Sequence, residues 1–237
     1  MTRLSVNINK YALLRNSRGG NQPDLIQIAK DCERFGAEGI TVHPRQDERH
    51  IRYSDVRPVQ EIVTTEFNIE GFPDKRFLEM VLDVQPHQCT LVPDASNQLT
   101  SDHGWNTIAE KEFLTETIGK LKEKGIRVSL FMDADEKAVE GAKTVNADRI
   151  ELYTGPFAEE FENDQEKAIE SHIRAAKVAN ELGLGINAGH DLNLDNLRFY
   201  KSHIENLAEV SIGHAIICDA IYLGLETTIR RYLEELS

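Results

Sequence analysis

The segment DRIELYTGPFAEEFENDQEKAIESHIRAAKVANELGLGINAGH, residues 148–190, decides the fold. It opens on a β-rich run, Asp148–Tyr153, of the length of one strand. A helical pattern, DQEKAIESHIRAAKVANELG, follows and stops at Gly183, a residue suited to the position just past a helix end. A second strand, Leu184–Asn187, comes next, and the polar stretch NAGH closes the segment. Strand, helix and strand in that order make a βαβ unit.

The same alternation runs outward in both directions. Candidate strands Leu4–Ile8, Gly39–His43, Glu66–Glu70, Gln88–Val92 and Arg127–Met132 precede the segment, and Glu209–Ile212 follows it. Between them lie helical patterns. DLIQIAKDCERFG spaces Leu25, Ile28, Ala29 and Cys32 as one helix face, FLTETIGKLKEKG ends on Gly125, and DAIYLGLETTIRRYLEEL closes the chain. Eight strands alternating with eight helices, at a repeat of about 30 residues, imply parallel βαβ units. An open doubly wound sheet is the alternative. The count of eight, and the lack of a GxGxxG after the first strand, favour a (β/α)8 barrel of the TIM type. Its 237 residues suit one such barrel, and no linker divides residues 1–237, so a single domain is expected. The long segment Leu91–Trp105 is the candidate for a flexible lid.

Composition narrows the function. The net charge of −13 argues against a nucleic-acid partner, which a basic stripe would attract. Cys32, Cys89 and Cys218 are odd in number and far apart, so each reads as a small core filler rather than as half of a disulfide or a zinc ligand. MTRLSVNINKY has no signal-peptide core, and no run reaches the roughly 20 apolar residues of a membrane span. The longest apolar tract, AIICDAIYLGL at 215–225, reads as one face of a buried helix. A cytoplasmic protein without a membrane partner is expected.

In such a barrel the active-site groups sit at the C-terminal ends of the strands. Those ends carry Asn7, Asn9 and Lys10, then His43 and Arg45, then Glu70, Glu151, His190, and finally Gly213 and His214. His and Glu side chains gathered at one rim suggest general acid–base chemistry. Each alone is more often a structural group; the repetition over several strands is what carries the signal. HPRQDERHIR places Arg45, Arg49, Arg52, His43 and His50 together, with Arg15 and Arg18 after the first strand, and arginine forks suit phosphate oxygens. Asp47 and Glu48 are interleaved and offer a competing reading, a self-paired charge run. In SIGHAI a small residue meets a helix start, where backbone N–H groups can approach an anion. Two rival functions fit the same residues. His43, Glu70, Glu151 and His190 could surround a divalent cation in a phosphosugar isomerase or epimerase, or the barrel could bind phosphometabolites without chemistry.

The segments NIN, LRNSRGG, GITVHPRQDERHI, FNIEG, PHQCTLVP, SLFMDAD, IELYTG, NAGHDLN and SIGHAII occur in the order seen in pyridoxine 5′-phosphate synthases, and the chain resembles that family over nearly its whole length. The resemblance implies a (β/α)8 barrel with extra helices, a homo-octamer, and no metal or organic cofactor. The implied reaction condenses 1-deoxy-D-xylulose 5-phosphate with 3-amino-2-oxopropyl phosphate to give pyridoxine 5′-phosphate, phosphate and water. By position, His43 and Glu70 match proton-accepting bases, His190 a proton donor, and Glu151 a carboxylate that stabilises the transition state. Arg45, His50 and Thr100 match contacts to the sugar phosphate; Asn7, Arg18, Gly213 and His214 match contacts to the aminoketone phosphate. Asn9-Lys10 stands where many members have Asp-His, a pair that touches the sugar phosphate. Asn keeps hydrogen bonding and Lys keeps anion contact, without the acid–base character of the pair. Asp191 stands where many have Gly, placed either to repel phosphate or to orient His190.

Overall fold

The computed structural model describes residues 1–94, 98 and 100–237. The strands are β1 (Arg3–Asn7), β2 (Gly39–Val42), β3 (Glu66–Gly71), β4 (Gln88–Leu91), β5 (Arg127–Met132), β6 (Arg149–Tyr153), β7 (Gly185–Gly189) and β8 (Leu207–Ile212). All eight pair in parallel and in chain order, and β1 pairs with β8 to close the barrel. Each expected strand is present, with ends shifted by one or two residues.

The helices are α1 (Asn9–Asn16), α2 (Leu25–Arg34), α3 (Tyr53–Gln60), α4 (Lys75–Val84), α5 (Lys111–Lys122), α6 (Glu136–Thr144), α7 (Gly155–Phe161), α8 (Gln165–Glu181), α9 (Leu197–His203), α10 (His214–Leu223) and α11 (Leu225–Leu236). The segments after β1, β6 and β8 carry two helices instead of one, which adds three helices to the eight expected. Aspartates start several of them. Asp24, Asp74, Asp135 and Asp164 each accept a backbone N–H of the first turn, which satisfies donors that no helix can pair internally.

The strands alternate strictly. One row of each faces the helices and is apolar: Leu4 and Val6, Ile40 and Val42, Phe67 and Ile69, and so around to Val210 and Ile212, all at 0 or 1% exposure. The other row faces the barrel axis and is polar. At the N-terminal end it forms a charged ring. Arg3 pairs with Glu66 at 2.8 Å and with Glu209 at 3.4 Å, Arg127 pairs with Glu66, and Arg149 donates to Asn187 at 3.0 Å. Although burial works against it, Arg127 and Arg3 hold the Glu66 carboxyl below its ordinary range. Burial, then Glu66, pushes Glu209 up to about 8. Above the ring lies a hydroxyl and amide layer. Ser5 meets Thr41 at 2.8 Å, Asn68 donates to Thr41 at 3.3 Å, and Thr90 lies 3.1 Å from Asn68 Oδ1 and 3.4 Å from Glu151 Oε2.

The apolar tract at 215–225 departs from its expected burial. Gly224, at φ +76° and ψ 151°, breaks it into two helices, a conformation that side chains disfavour. In α10 only Ile216 and Ile217 are buried; Ile221 is 72% and Tyr222 89% exposed. Cys218 is likewise exposed on α10, whereas Cys32 and Cys89 fill the core as expected. In the proposed lid segment, residues 95–97 and 99 lie outside the described residues. Its far end is anchored by buried Trp105, whose Nε1 donates to the carbonyl of Leu91 at 2.9 Å.

Thr90→Val removes a hydroxyl from the middle polar layer and keeps the shape. Leaving buried oxygens short of a donor costs about 1–3 kcal/mol, which lowers Tm by roughly 2–12 °C for a chain of this size. Calorimetric melting checks this; an unchanged Tm contradicts the network.

Candidate active site

The polar row continues to the C-terminal mouth, where it opens into a cavity of about 860 Å³. Of the residues given a catalytic or substrate-binding role from the sequence, all but Arg18 line it: Asn7, Asn9 and Lys10 from β1 and α1, His43, Arg45 and His50 after β2, Glu70 on β3, Thr100, Glu151 on β6, His190 and Asp191 after β7, and Gly213 and His214 at the start of α10. Arg18 is exposed beyond the end of α1 and stands outside this wall.

The carboxylates are set deep. Glu70 is 8% and Glu151 4% exposed. Asn7 Nδ2 donates to Glu70 Oε2 at 3.3 Å, and Ser211 Oγ lies 3.4 Å from Glu70 Oε1. Burial, then the neighbouring charges of Glu151 and Asp94, raise the Glu70 carboxyl well above its usual range. Burial likewise brings Glu151 to about 7. A carboxyl that titrates at about 7, as Glu151 does, serves as acid or base near neutrality, which ordinary carboxylates do poorly. Gly189 makes room for this carboxyl, since a Cβ at that position would stand 2.9 Å from Glu151 Oε1 and 2.6 Å from the Ser211 carbonyl.

His43 lies 3.9 Å from Glu70 through Nδ1. Burial, then His50 and Arg45, lower its pKa well below the ordinary value, so the imidazole is neutral and keeps a lone pair that can accept a proton. Asn9 positions this strand end: its Oδ1 accepts the backbone N–H of His43 at 2.8 Å, and its own N–H donates to Asn7 Oδ1 at 3.1 Å. His50 accepts the backbone N–H of Ile51 on Nδ1 at 2.9 Å, which leaves its proton on Nε2. Burial, then Arg45, Lys10 and Arg49, bring His50 down to about 4. Cations that strip a proton from His50 define a positive region, and a phosphate suits it.

His190 sits across the cavity with a backbone φ of +102°. Its peptide is clamped: the Asp191 N–H donates to Thr154 Oγ1 at 3.1 Å, and Thr154 donates to the Gly189 carbonyl at 2.7 Å. Phe131 and Tyr153 meet its ring edge-on. Nε2 is 3.3 Å from Thr100 Oγ1, and Nδ1 is 3.4 Å from Asp191 Oδ2. Asp191 therefore stands beside His190, as the orienting alternative requires.

Part of the expected basic cluster is structural. Arg15 is buried and donates to both oxygens of Asp55 at 2.8 Å and to the His50 carbonyl, so it ties α1 to α3. Arg49 pairs with Asp47 at 2.8 Å as the charge-run reading had it, yet it also lines the cavity. Arg52 is exposed at the start of α3. Sequence reasoning missed Asp94, Ser101, Phe131, Tyr153 and Ser211. The last three lie in the inward rows of β5, β6 and β8, so strict alternation counted from Glu151 and Glu209 reaches Tyr153 and Ser211.

Comparison with known proteins agrees with this geometry. Residues 4–237 match the family described as pyridoxal phosphate biosynthesis protein PdxJ. The chain is similar to the pyridoxine 5′-phosphate synthase of Cytophaga hutchinsonii, at 61% identity over 236 residues covering 100% of this chain and 99% of that one. It is 55% identical to the protein of the same name from Flavobacterium johnsoniae, with 100% of both chains covered. Among solved structures it resembles phosphoribosylanthranilate isomerases from Thermotoga maritima and Pyrococcus furiosus. Each has a TM-score of 0.63, at 13% and 12% identity, and each match covers 100% of this chain and 98% of the other. That likeness concerns the barrel alone.

The raised Glu151 carboxyl fixes the sign of a stability test. A group whose folded pKa is about 7 against an ordinary 4.5 stabilises the fold fully below the unfolded value and loses that contribution as pH rises through 7. Glu151→Gln is therefore expected to melt near wild type at pH ~5 and above it at pH ~8, by up to a few kcal/mol at about 1.4 kcal/mol per unit. Equal effects at both pH values contradict a shifted carboxyl.

Proposed function

The chain belongs to the PdxJ family of pyridoxal phosphate biosynthesis proteins, and from that premise we propose that it is a pyridoxine 5′-phosphate synthase. It joins 1-deoxy-D-xylulose 5-phosphate to 3-amino-2-oxopropyl phosphate and releases pyridoxine 5′-phosphate, phosphate and water. The observation that carries this reading is the convergence of Glu70, His43, Glu151 and His190 on one cavity with a positive region at the β2 side. Two strands round the barrel from there, past β1, lies the start of α10, whose first N–H groups suit a second phosphate.

The chemistry needs many proton transfers and no single nucleophile. The amine and the ketone form an imine with loss of one water, one phosphate leaves, a carbon–carbon bond closes the ring, and a second water departs. Glu70 and His43 remove protons as the imine forms and the neighbouring carbon enolises. Glu151, buried near the same carboxyl, balances positive charge that develops on the imine nitrogen. His190 returns a proton to the departing hydroxyl, with its ring held by Phe131, Tyr153 and Thr100. His50 donates its Nε2–H, beside Arg45, to the phosphate of the sugar. Gripping both substrates by their phosphates places the reacting carbons together, which replaces a bimolecular encounter by a local one.

The resemblance to the family further implies an octamer in the cytoplasm, without a cofactor. Exposed Leu14 on α1 and exposed Ile221 and Tyr222 on α10 support self-association, because α1 and α10 pack together and these side chains lie outside this chain's core. Among the described residues, no helix is long and apolar enough to cross a membrane.

Purified protein mixed with both substrates is expected to form pyridoxine 5′-phosphate, followed by chromatography with fluorescence detection. Glu70→Gln and His43→Ala each lower turnover by about 100-fold or more if they are general bases; near-normal rates in both remove them from these roles. Ile221→Asp is expected to reduce the particle mass seen by sedimentation velocity, since a charge in an apolar contact opposes burial. An unchanged mass leaves α10 outside the interface.

A further inference from the structure

His43 is flanked by two carboxylates, one at each ring nitrogen. Nδ1 lies 3.9 Å from Glu70 Oε2, and Nε2 lies 4.0 Å from Asp94 Oδ2. Asp94 follows β4 and is 5% exposed. Its Oδ2 accepts from Arg45 Nη1 at 2.5 Å and from Ser101 Oγ at 2.8 Å. Its Oδ1 is buried without a hydrogen-bond partner among the described residues. Asp94, His43 and Arg45 also line a second, small cavity with Pro44, Gln46, Tyr53 and Phe72. A buried carboxylate with one oxygen unsatisfied is expensive unless it does something for the site.

We propose that Asp94 is a positioning residue for the reaction: it fixes the Arg45 guanidinium for the substrate phosphate and faces His43 with a negative charge from the side opposite Glu70. The proposal rests on the function given above and adds a residue to it. Two consequences follow from the geometry. First, Arg45 has a planar fork, and the Asp94 carboxylate on Nη1, together with the Gln98 carbonyl that accepts from Nη2 at 2.9 Å, sets the plane of the guanidinium. Second, the Asp94 charge raises the Glu70 carboxyl, after burial and Glu151. The imidazole of His43 between them is neutral, with one N–H and one lone pair, so it hydrogen-bonds whichever carboxyl complements it once substrate draws the groups together.

The charged and titratable groups around this arrangement come from every side of the mouth. Arg45, Arg49 and His50 stand with His43 after β2, and Glu70 lies on β3. Glu151 lies on β6, His190 follows β7, and Glu209 on β8 acts on Glu70 from below. Removing the Asp94 charge while keeping its shape takes one negative neighbour away from Glu70, so the Glu70 carboxyl ionises at lower pH. Removing the side chain altogether also takes one anchor from Arg45 and leaves the Gln98 carbonyl, which accepts from Nη2 at 2.9 Å.

Asp94→Asn and Asp94→Ala separate these effects. Calorimetry measures 1-deoxy-D-xylulose 5-phosphate binding in the absence of the amine substrate. The pH profile of kcat/KM reports the proton balance. Titration of ¹³C-labelled glutamate side chains by NMR, assigned with Glu70→Gln, follows Glu70 without turnover. A folded Asp94→Asn chain is expected to bind the sugar phosphate within about threefold of wild type, because asparagine oxygen still accepts from Arg45. Its acid limb of kcat/KM and its Glu70 titration are expected to move about half a pH unit or more downward. Asp94→Ala is expected to weaken sugar phosphate binding about tenfold. A folded Asp94→Asn chain whose Glu70 titration stays put overturns the proposal, as does Asp94→Ala with wild-type affinity. Failure of the wild-type chain to bind the sugar phosphate or make product counts against the functional reading instead, and the Glu70 titration still decides the role of Asp94.

Discussion

A polar row facing inward from every strand of a closed barrel is the constraint on which the rest of this structure depends. Parallel strands buried on both faces usually read as continuous apolar runs, and barrel interiors are usually filled by branched apolar side chains. Here the apolar requirement is met on the helix-facing side alone. Inside, a hydroxyl, amide or carboxyl is stabilised by a partner on another strand, because an unpaired buried polar group costs more than a hydrogen bond returns; among the described residues Ser129 Oγ and Asn187 Nδ2 lack one. The Ser5–Thr41–Asn68–Thr90–Glu151 chain supplies such partners across five strands. Where burial outweighs the available countercharges, protons are retained instead. Glu209 at the lower ring, and Glu151 with Glu70 at the mouth, all titrate above ordinary carboxylates.

That retention supplies the chemistry. The same burial that raises the two mouth carboxyls lowers His43 and His50, since it disfavours the charged form of each. The result is a cavity in which Glu151 titrates at about 7 while both imidazoles stay neutral. The positive charges stand mainly to one side, where Arg45, Arg49 and Lys10 act on His50. A substrate with a phosphate at one end and a carbonyl further along is oriented by that asymmetry alone. A condensation of two such molecules needs little more than a second anion grip and a sequence of short proton transfers.

The fold was legible because strand and helix punctuation is local. Gly125 and Gly183 close their helical turns at positive φ, and all eight strands lie where the β-rich runs put them. The mouth was legible because it collects strand ends, so Asn7, His43, Glu70 and Glu151 followed from position. What failed depended on contacts between distant segments. Arg15 looks like any arginine of a basic cluster until Asp55, forty residues on, takes both its donors. Asp94 sits in an irregular segment with no periodicity to mark it. Its role follows only from the approach of Arg45 and His43. The tract at 215–225 is as apolar as a core helix, yet Gly224 turns the chain and leaves Ile221 and Tyr222 in the open. Hydropathy alone does not distinguish a core from a surface that a second copy can cover.

Infrared spectroscopy of the carboxyl C=O stretch across the neutral pH range tests the central claim most directly. Protonated and ionised carboxyls absorb apart, so a buried acid that holds its proton near neutrality gives a band of its own. Such a band is expected in the wild-type chain near pH ~6–7, diminished in Glu151→Gln, since burial brings the Glu151 carboxyl to about 7. A spectrum in which every carboxyl is already ionised at pH ~6 contradicts it.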